Sequence, residues 1–222
     1  MNALAIVYKS KVYISGGYTN SQNYSPNRLL LNYYCFDKKK WNKITTFTSS
    51  EDFEMFEPQC GVLINTRWYQ FGNITKAGAV QSSLWKYSLD QMSWTSIEQK
   101  GDIPIAEGGC IVGYDRNWLV FYGGYNSDQI PSVNNLYVFS IDSRTWYHCS
   151  GNYDFKLKSR QGTAMCTHDG RIYLFGGAYD GSNGIDYLND FYEITIAFPF
   201  KGSPARAEVQ QIITIISPEP RA

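Results

Sequence analysis

One motif recurs four times along this chain at a nearly constant period, and it restricts the fold more than any other feature. A short apolar run ends in a glycine pair at Val12-Tyr13-Ile14-Ser15-Gly16-Gly17, at Leu119-Val120-Phe121-Tyr122-Gly123-Gly124 and at Ile172-Tyr173-Leu174-Phe175-Gly176-Gly177. Trp68-Tyr69-Gln70-Phe71-Gly72-Asn73 is the remaining copy, with Asn73 in place of the second glycine. The second positions of these pairs, at 17, 73, 124 and 177, lie 56, 51 and 53 residues apart. Trp41, Trp94 and Trp146 keep the same beat, at spacings of 53 and 52. Two independent landmarks with one period are the signature of a repeat architecture.

Each repeat reads as a meander of four strands. Ahead of the glycine pairs lie Ala5-Ile6-Val7-Tyr8, Gly61-Val62-Leu63-Ile64, Cys110-Ile111-Val112-Gly113 and Thr163-Ala164-Met165-Cys166. After them come Tyr33 to Asp37, Leu84 to Asp90, Leu136 to Asp142 and Phe191 to Ile196. In three copies an Asp and three further residues lead to the Trp, the spacing of a tight hairpin into a fourth strand. The units fall at about 3–44, 60–97, 109–149 and 162–200, within a repeat domain of 1–200. Copy four has Ala197-Phe198-Pro199-Phe200 where a Trp is due, so its outer strand is degenerate or missing. The tail, 201–222, fits a closing strand, the first strand of a further unit, or a helix.

Composition agrees with an all-β chain. The 222 residues include 18 Tyr, 12 Phe and 6 Trp, 16% aromatic, alongside 19 Gly, a pairing typical of turn-rich sheets. With 20 Lys+Arg against 20 Asp+Glu the formal charge is zero, so the basic footprint of a general nucleic-acid or anionic-membrane binder is absent. The longest apolar runs, such as Ile212 to Ile216, fall far short of the roughly 20 residues that span a bilayer, and the N-terminal stretch lacks the basic segment of a secretory signal. Five cysteines, Cys35, Cys60, Cys110, Cys149 and Cys166, form neither an even set nor a metal-finger spacing. Buried free thiols in a reducing compartment are the expectation, and with it a cytoplasmic or nuclear location.

The register of glycine pair, Tyr-bearing strand and Trp resembles the kelch repeat, over about residues 3–196. The resemblance implies an all-β, kelch-type β-propeller of about four four-stranded blades, either a small closed ring or an incomplete, open one. In that setting Gly16, Gly17, Gly72, Gly123, Gly124, Gly176 and Gly177 serve close backbone approach and positive φ. Asn73 is expected in the left-handed region, which Asn tolerates better than other side chains. Trp41, Trp94 and Trp146 are expected to be buried between neighbouring blades, each contributing roughly 3 to 5 kcal/mol. An open ring would leave terminal blade faces uncovered, which invites self-association or signals a truncated gene product.

Functional residues are sought on the loops. In an antiparallel meander the second-to-third-strand loops and the blade-to-blade links leave the same end. The loops are Tyr18 to Arg28, Ile74 to Ser83, Tyr125 to Asn134 and Ala178 to Tyr187; the links are about Thr45 to Gln59, Glu98 to Gly108 and Ser150 to Gln161. Tyr18, Tyr24, Arg28, Tyr125, Asn126, Asp128, Arg160, Tyr179, Asp180 and Tyr187 make a set suited to protein recognition: aromatic anchors among adaptable polar groups. Lys38-Lys39-Lys40 reads as a solvated hairpin tip. His148 and His168 lack the neighbours of a catalytic dyad or metal cluster, so neither catalytic residues, nor a metal, nor a cofactor is assigned. The expectation is a non-catalytic scaffold that binds a protein partner, with neither nucleic acid nor membrane insertion. Proteins similar to this often act as substrate adaptors of ubiquitin ligases. The alternative is a propeller enzyme of the oxidase or lyase type, with its active site at the channel mouth.

Overall fold

The computed structural model describes residues 3–16, 31–44, 56–76, 79–124, 136–149, 157, 160–181, 184–198 and 205–214. Among them every regular element is a strand, and the strands form four sheets. The first sheet is β1 (Ala3–Tyr8), β2 (Lys11–Gly16), β3 (Leu31–Cys35) and β4 (Lys40–Ile44), and the second is β5 (Phe56–Ile64), β6 (Arg67–Lys76), β7 (Ala79–Ser88) and β8 (Ser93–Ile97). A two-residue strand, β9 (Lys100–Gly101), precedes the third sheet, β10 (Gly109–Gly113), β11 (Trp118–Gly123), β12 (Leu136–Ser140) and β13 (Thr145–His148), and pairs in parallel with β13 at its edge. The fourth is β14 (Ala164–His168), β15 (Arg171–Gly181), β16 (Gly184–Ala197) and β17 (Arg206–Thr214). Apart from β9, neighbours are antiparallel and in chain order. The chain divides into two compact units, Met1–Glu98 with the first two sheets and Gln99–Ala222 with the last two.

In the first three repeats an Asp opens the turn into the outer strand. Lys39, Met92 and Arg144, two residues after Asp37, Asp90 and Asp142, all have positive φ near 50°, the single left-handed residue that lets a short hairpin loop rejoin the ladder. This turn is tied to the first hairpin at the same end of the sheet. The amide of Phe36 donates to Ser10 O, that of Leu89 to Thr66 O and that of Ile141 to Asn117 O. In the first two sheets a hydroxyl adds a second tie, from Ser10 Oγ to Asp37 and from Thr66 Oγ1 to Asp90, at 2.5 and 2.6 Å. The Thr66 hydroxyl is the largest influence holding the Asp90 carboxyl below its ordinary value; desolvation, next in size, opposes it, and the Arg67 guanidinium adds to the lowering.

The structure corrects several expectations. Within the segments read as loops at 74–83 and 178–187, every described residue is strand: β6 and β7 stay paired out to Lys76 and Ala79, and β15 and β16 out to Gly181 and Gly184. Asn73 accordingly lies inside β6, between Glu57 and Ser82, without positive φ. At Gly72 and Asn73 the β6–β7 ladder keeps its register, whereas β15 shifts against β16 between Phe175 and Gly177, where Gly176 and Gly177 both have positive φ. Gly72 is required for space: a Cβ would lie 2.1 Å from Glu57 O. Gly123, by contrast, has a φ of 86° and faces Arg160 O, 2.5 Å from where its Cβ would stand. The second sheet begins at Phe56 rather than residue 60, and the tail supplies β17, so the fourth sheet has its outer strand after all, beyond a connection that follows Phe198. Gly17 lies outside the described residues.

Each unit has its own core. In the first, Ile6, Tyr13, Leu31 and Ile44 of the first sheet pack on Phe56, Trp68, Trp85, Tyr87 and Trp94 of the second. Burial, and then the nearby Tyr13, push the Tyr87 hydroxyl up to about 12. In the second unit Val112, Val120, Tyr122, Leu136 and Val138 meet Ile172, Leu174, Tyr192, Ile194 and Ile196. Trp94 and Trp146 are buried at 6% and 0%, whereas Trp41 is 58% exposed. Trp41 shares its side of the first sheet with Tyr34 and Val12, opposite the side that packs on the second sheet. The cysteines also divide: Cys35, Cys60 and Cys149 are buried, Cys110 is half-buried and Cys166 is exposed on β14, so burial does not extend to all five thiols.

Candidate partner interface

The best-defined part of the loop-bearing end is the β15–β16 hairpin. Pairing runs Ala178 to Tyr187, Tyr179 to Asp186, Asp180 to Ile185 and Gly181 to Gly184. Alternation therefore puts Ile185 and Tyr187 on one side of the hairpin. Both face solvent, Tyr187 at 84% exposure, with the exposed Asp186 between them pointing the other way. An exposed aliphatic and an exposed aromatic thus stand together on one side of a two-stranded arm.

The arm is held at its base by the link from the third sheet. Gln161 and Ala178 exchange two backbone hydrogen bonds, 2.9 and 2.8 Å, adding a third chain segment to the hairpin. Arg160 sends Nη1 to Gly176 O at 3.1 Å and to Asp190 Oδ1, and Nη2 to Asp190 Oδ2 at 3.1 Å, with its guanidinium over the Tyr192 ring. Its own carbonyl accepts from Gly124 N, and Gly162 N donates to Gly108 O, so the link is tied to the third sheet as well. Desolvation opposes the charge on Arg160, but the Asp190 hydrogen bonds and the surrounding phenols outweigh it and raise its pKa. Burial raises Tyr122 in the same cluster, with Arg160 acting in the opposite sense.

The expected recognition residues therefore separate. Tyr187 is fully available and Tyr179 is half-buried. Asp180 lies in β15 by its backbone, and its side chain is outside the described residues. Arg160 is a correction: at 2% exposure it has no surface to offer, because its charge is spent on Asp190 inside the protein. Tyr18, Tyr24, Arg28, Tyr125, Asn126 and Asp128 lie outside the described residues. Sequence reading missed Ile185, whose signal was its place two residues from Tyr187, and Asp190, which lies inside β16 but one residue before the strand read from the sequence at Phe191.

Among the described residues no group of three His, Cys, Asp or Glu is placed to hold a metal ion. His148 lies against the Tyr137 ring at 5.0 Å, and His168 beside Asp169 at 3.3 Å, both on the surface. No described helix is long and apolar enough to cross a membrane.

Comparison with known proteins places this architecture. A family model, the KLHDC2/KLHL20/DRC7 Kelch-repeats domain, matches residues 1–177. A Leucine-zipper-like transcriptional regulator 1 homolog of Drosophila melanogaster is 27% identical over 188 residues, 80% of this chain and 19% of that protein. Acyl-CoA-binding domain-containing protein 4 of Arabidopsis thaliana is 24% identical over 78% of this chain and 26% of its own length. N-(sulfonatooxy)prop-2-enimidothioate sulfolyase of Thlaspi arvense is 25% identical over 51% of this chain and 34% of the enzyme. The chain thus spans about a third or less of these relatives. The solved structure of YjhT is alike in fold, with a TM-score of 0.65 at 13% identity, over 97% of this chain and 65% of that one.

Proposed function

The chain belongs to the kelch-repeat family, and on that premise we propose that it is a non-catalytic module that binds a protein partner through the end of its sheets from which the β15–β16 hairpin projects. The observation that carries this reading is the pairing of an exposed Ile185–Tyr187 surface with a buried Arg160–Asp190 base. An aromatic anchor on a pre-ordered arm gives up little entropy on binding, which is the usual condition of an interface hot spot. The finer reading is a substrate adaptor of a ubiquitin ligase.

The experiment compares proteins captured by the wild-type chain and by an Ile185→Ser/Tyr187→Ser variant in quantitative affinity purification. Both side chains are exposed, so the variant should melt like the wild type. Loss of the same captured proteins across replicates supports the reading; an unchanged set from a folded variant sinks it. The adaptor role requires in addition that a captured protein be less ubiquitylated when the chain is depleted.

A lyase-type enzyme is the second reading, favoured by the likeness to a sulfolyase over half the chain. Turnover of an N-(sulfonatooxy) imidothioate above the uncatalysed rate would replace the binding reading with it.

A further inference from the structure

Counting back from the glycine pair of each repeat separates the two faces of every sheet. Residues one and three before the first glycine lie on one face, here the leading face: Ser15 and Tyr13, Phe71 and Tyr69, Tyr122 and Val120, Phe175 and Tyr173. Residues two and four before it lie on the trailing face: Ile14 and Val12, Gln70 and Trp68, Phe121 and Leu119, Leu174 and Ile172. Within each unit the leading face of the earlier sheet packs on the trailing face of the later one. Tyr13 thus meets Trp68 in one core, and Val120 and Tyr122 meet Ile172 and Leu174 in the other.

Six of these eight faces are buried at both positions, and two are not. On the leading face of the fourth sheet Phe175 is 41% exposed and Tyr173 half-buried, although their counterparts Tyr122 and Val120 are sealed. On the trailing face of the first sheet Val12 and Ile14 are half-buried, Val7 is 66% exposed, and Trp41 is open where Trp94 and Trp146 are not. Each open face carries aromatic rings in contact. Tyr173 and Phe191 stack at 5.8 Å, and Tyr34 meets Phe36 and Trp41 edge-on at 5.5 and 5.4 Å. Charge does not set them against each other. Arg171 and Glu193 on the one face are paired with each other, and Lys43 is the charged residue on the other among the described residues.

We propose that a second copy of this chain covers these faces, the leading face of one copy's fourth sheet docking on the trailing face of the other's first sheet. The occupant follows from the register: within each of the two units a leading face packs on a trailing face, and the first and fourth sheets each present one such face with exposed side chains, Val7 and Phe175. The contact continues, between copies, the stacking that already joins the third sheet to the fourth. It is heterologous, since different surfaces meet, and such contacts close into rings or extend into chains.

The test is the solution mass of the full chain by light scattering and sedimentation, for wild type, Phe175→Asp and Val7→Asp. Both substitutions sit on exposed side chains, and unchanged melting confirms folding; Trp41→Lys replaces Val7→Asp if that variant melts early. The wild type is expected above the mass of one chain and each variant at one chain. An equal mixture of the two variants is expected to recover a species of two chains and nothing larger, because it retains one intact pair of faces. A monomeric wild type, self-association indifferent to both substitutions, or a mixture that stays monomeric would overturn the proposal, leaving these faces to a further sheet of a longer chain or to an unrelated protein.

Discussion

Arg160 and Asp190, 30 residues apart, close on each other through two parallel N–H···O bonds, with the guanidinium sealed from solvent and the carboxylate partly open. That asymmetry sets the cost of breaking the pair. Asp190→Asn strands a buried cation and should destabilise by about 3 kcal/mol, the lower end of the range for a buried pair. Arg160→Met leaves a carboxylate that reaches water, and should cost less. Urea unfolding of both variants decides the matter, and equal losses would contradict the account.

Trp41 and Trp146 hold one repeat position in two environments. Trp146 is buried against Phe121 and Phe139 and donates its indole N–H to Gln99 at 2.8 Å. Truncation of Trp146 to Ala should cost about 3 to 5 kcal/mol, and that of the exposed Trp41 under about 1 kcal/mol. Denaturation at low protein concentration, where copies do not meet, gives the comparison.

Gly72 has ordinary backbone angles and no room. Gly72→Ala should lower stability by about 1 to 3 kcal/mol through overpacking alone, since Glu57 O and the Pro58 Cα both lie within 2.7 Å of the new Cβ. Thermal unfolding measures it, and an unchanged melting temperature would mean that β5 shifts freely.

Alkali should weaken the fold through two buried groups. Burial raises Cys149 from 9.0 to about 12 and Tyr87 from 10.0 to about 12. The folded chain therefore keeps protons that the unfolded chain releases first. Their contribution is whole below pH 9 and is lost as pH climbs towards 12. Cys149→Ala should flatten the early part of that decline in a series of urea midpoints against pH.

Thiol labelling should separate the cysteines by depth. Cys166 is expected to react at once with an aromatic disulfide reagent, and Cys35, Cys60 and Cys149 only as the protein unfolds. Mass spectrometry of peptides from briefly labelled protein identifies the site, and early modification of Cys149 would refute its burial.

The sequence alone carried the strands, their order in each meander and the turn chemistry, because these depend on local alternation, on glycine, and on Asp at fixed offsets. The role of Asn73 was not legible: whether its φ is positive depends on whether β6 keeps its register against β7 there, which no residue near it announces. Nor was β17, whose pairing with β16 spans a connection with no repeat mark.

Burial belongs to the tertiary structure. Trp41, Trp94 and Trp146 are identical in spacing and context, so one sequence signal covered a surface residue and two core residues. What parts them is whether another sheet lies against that side, a fact about neighbours in space. The same holds for Arg160, which reads as a surface charge until the fold brings it to Asp190 at the base of the β15–β16 hairpin. Periodicity fixes which side of a strand a residue takes; only the stacking of sheets settles whether that side meets protein or water.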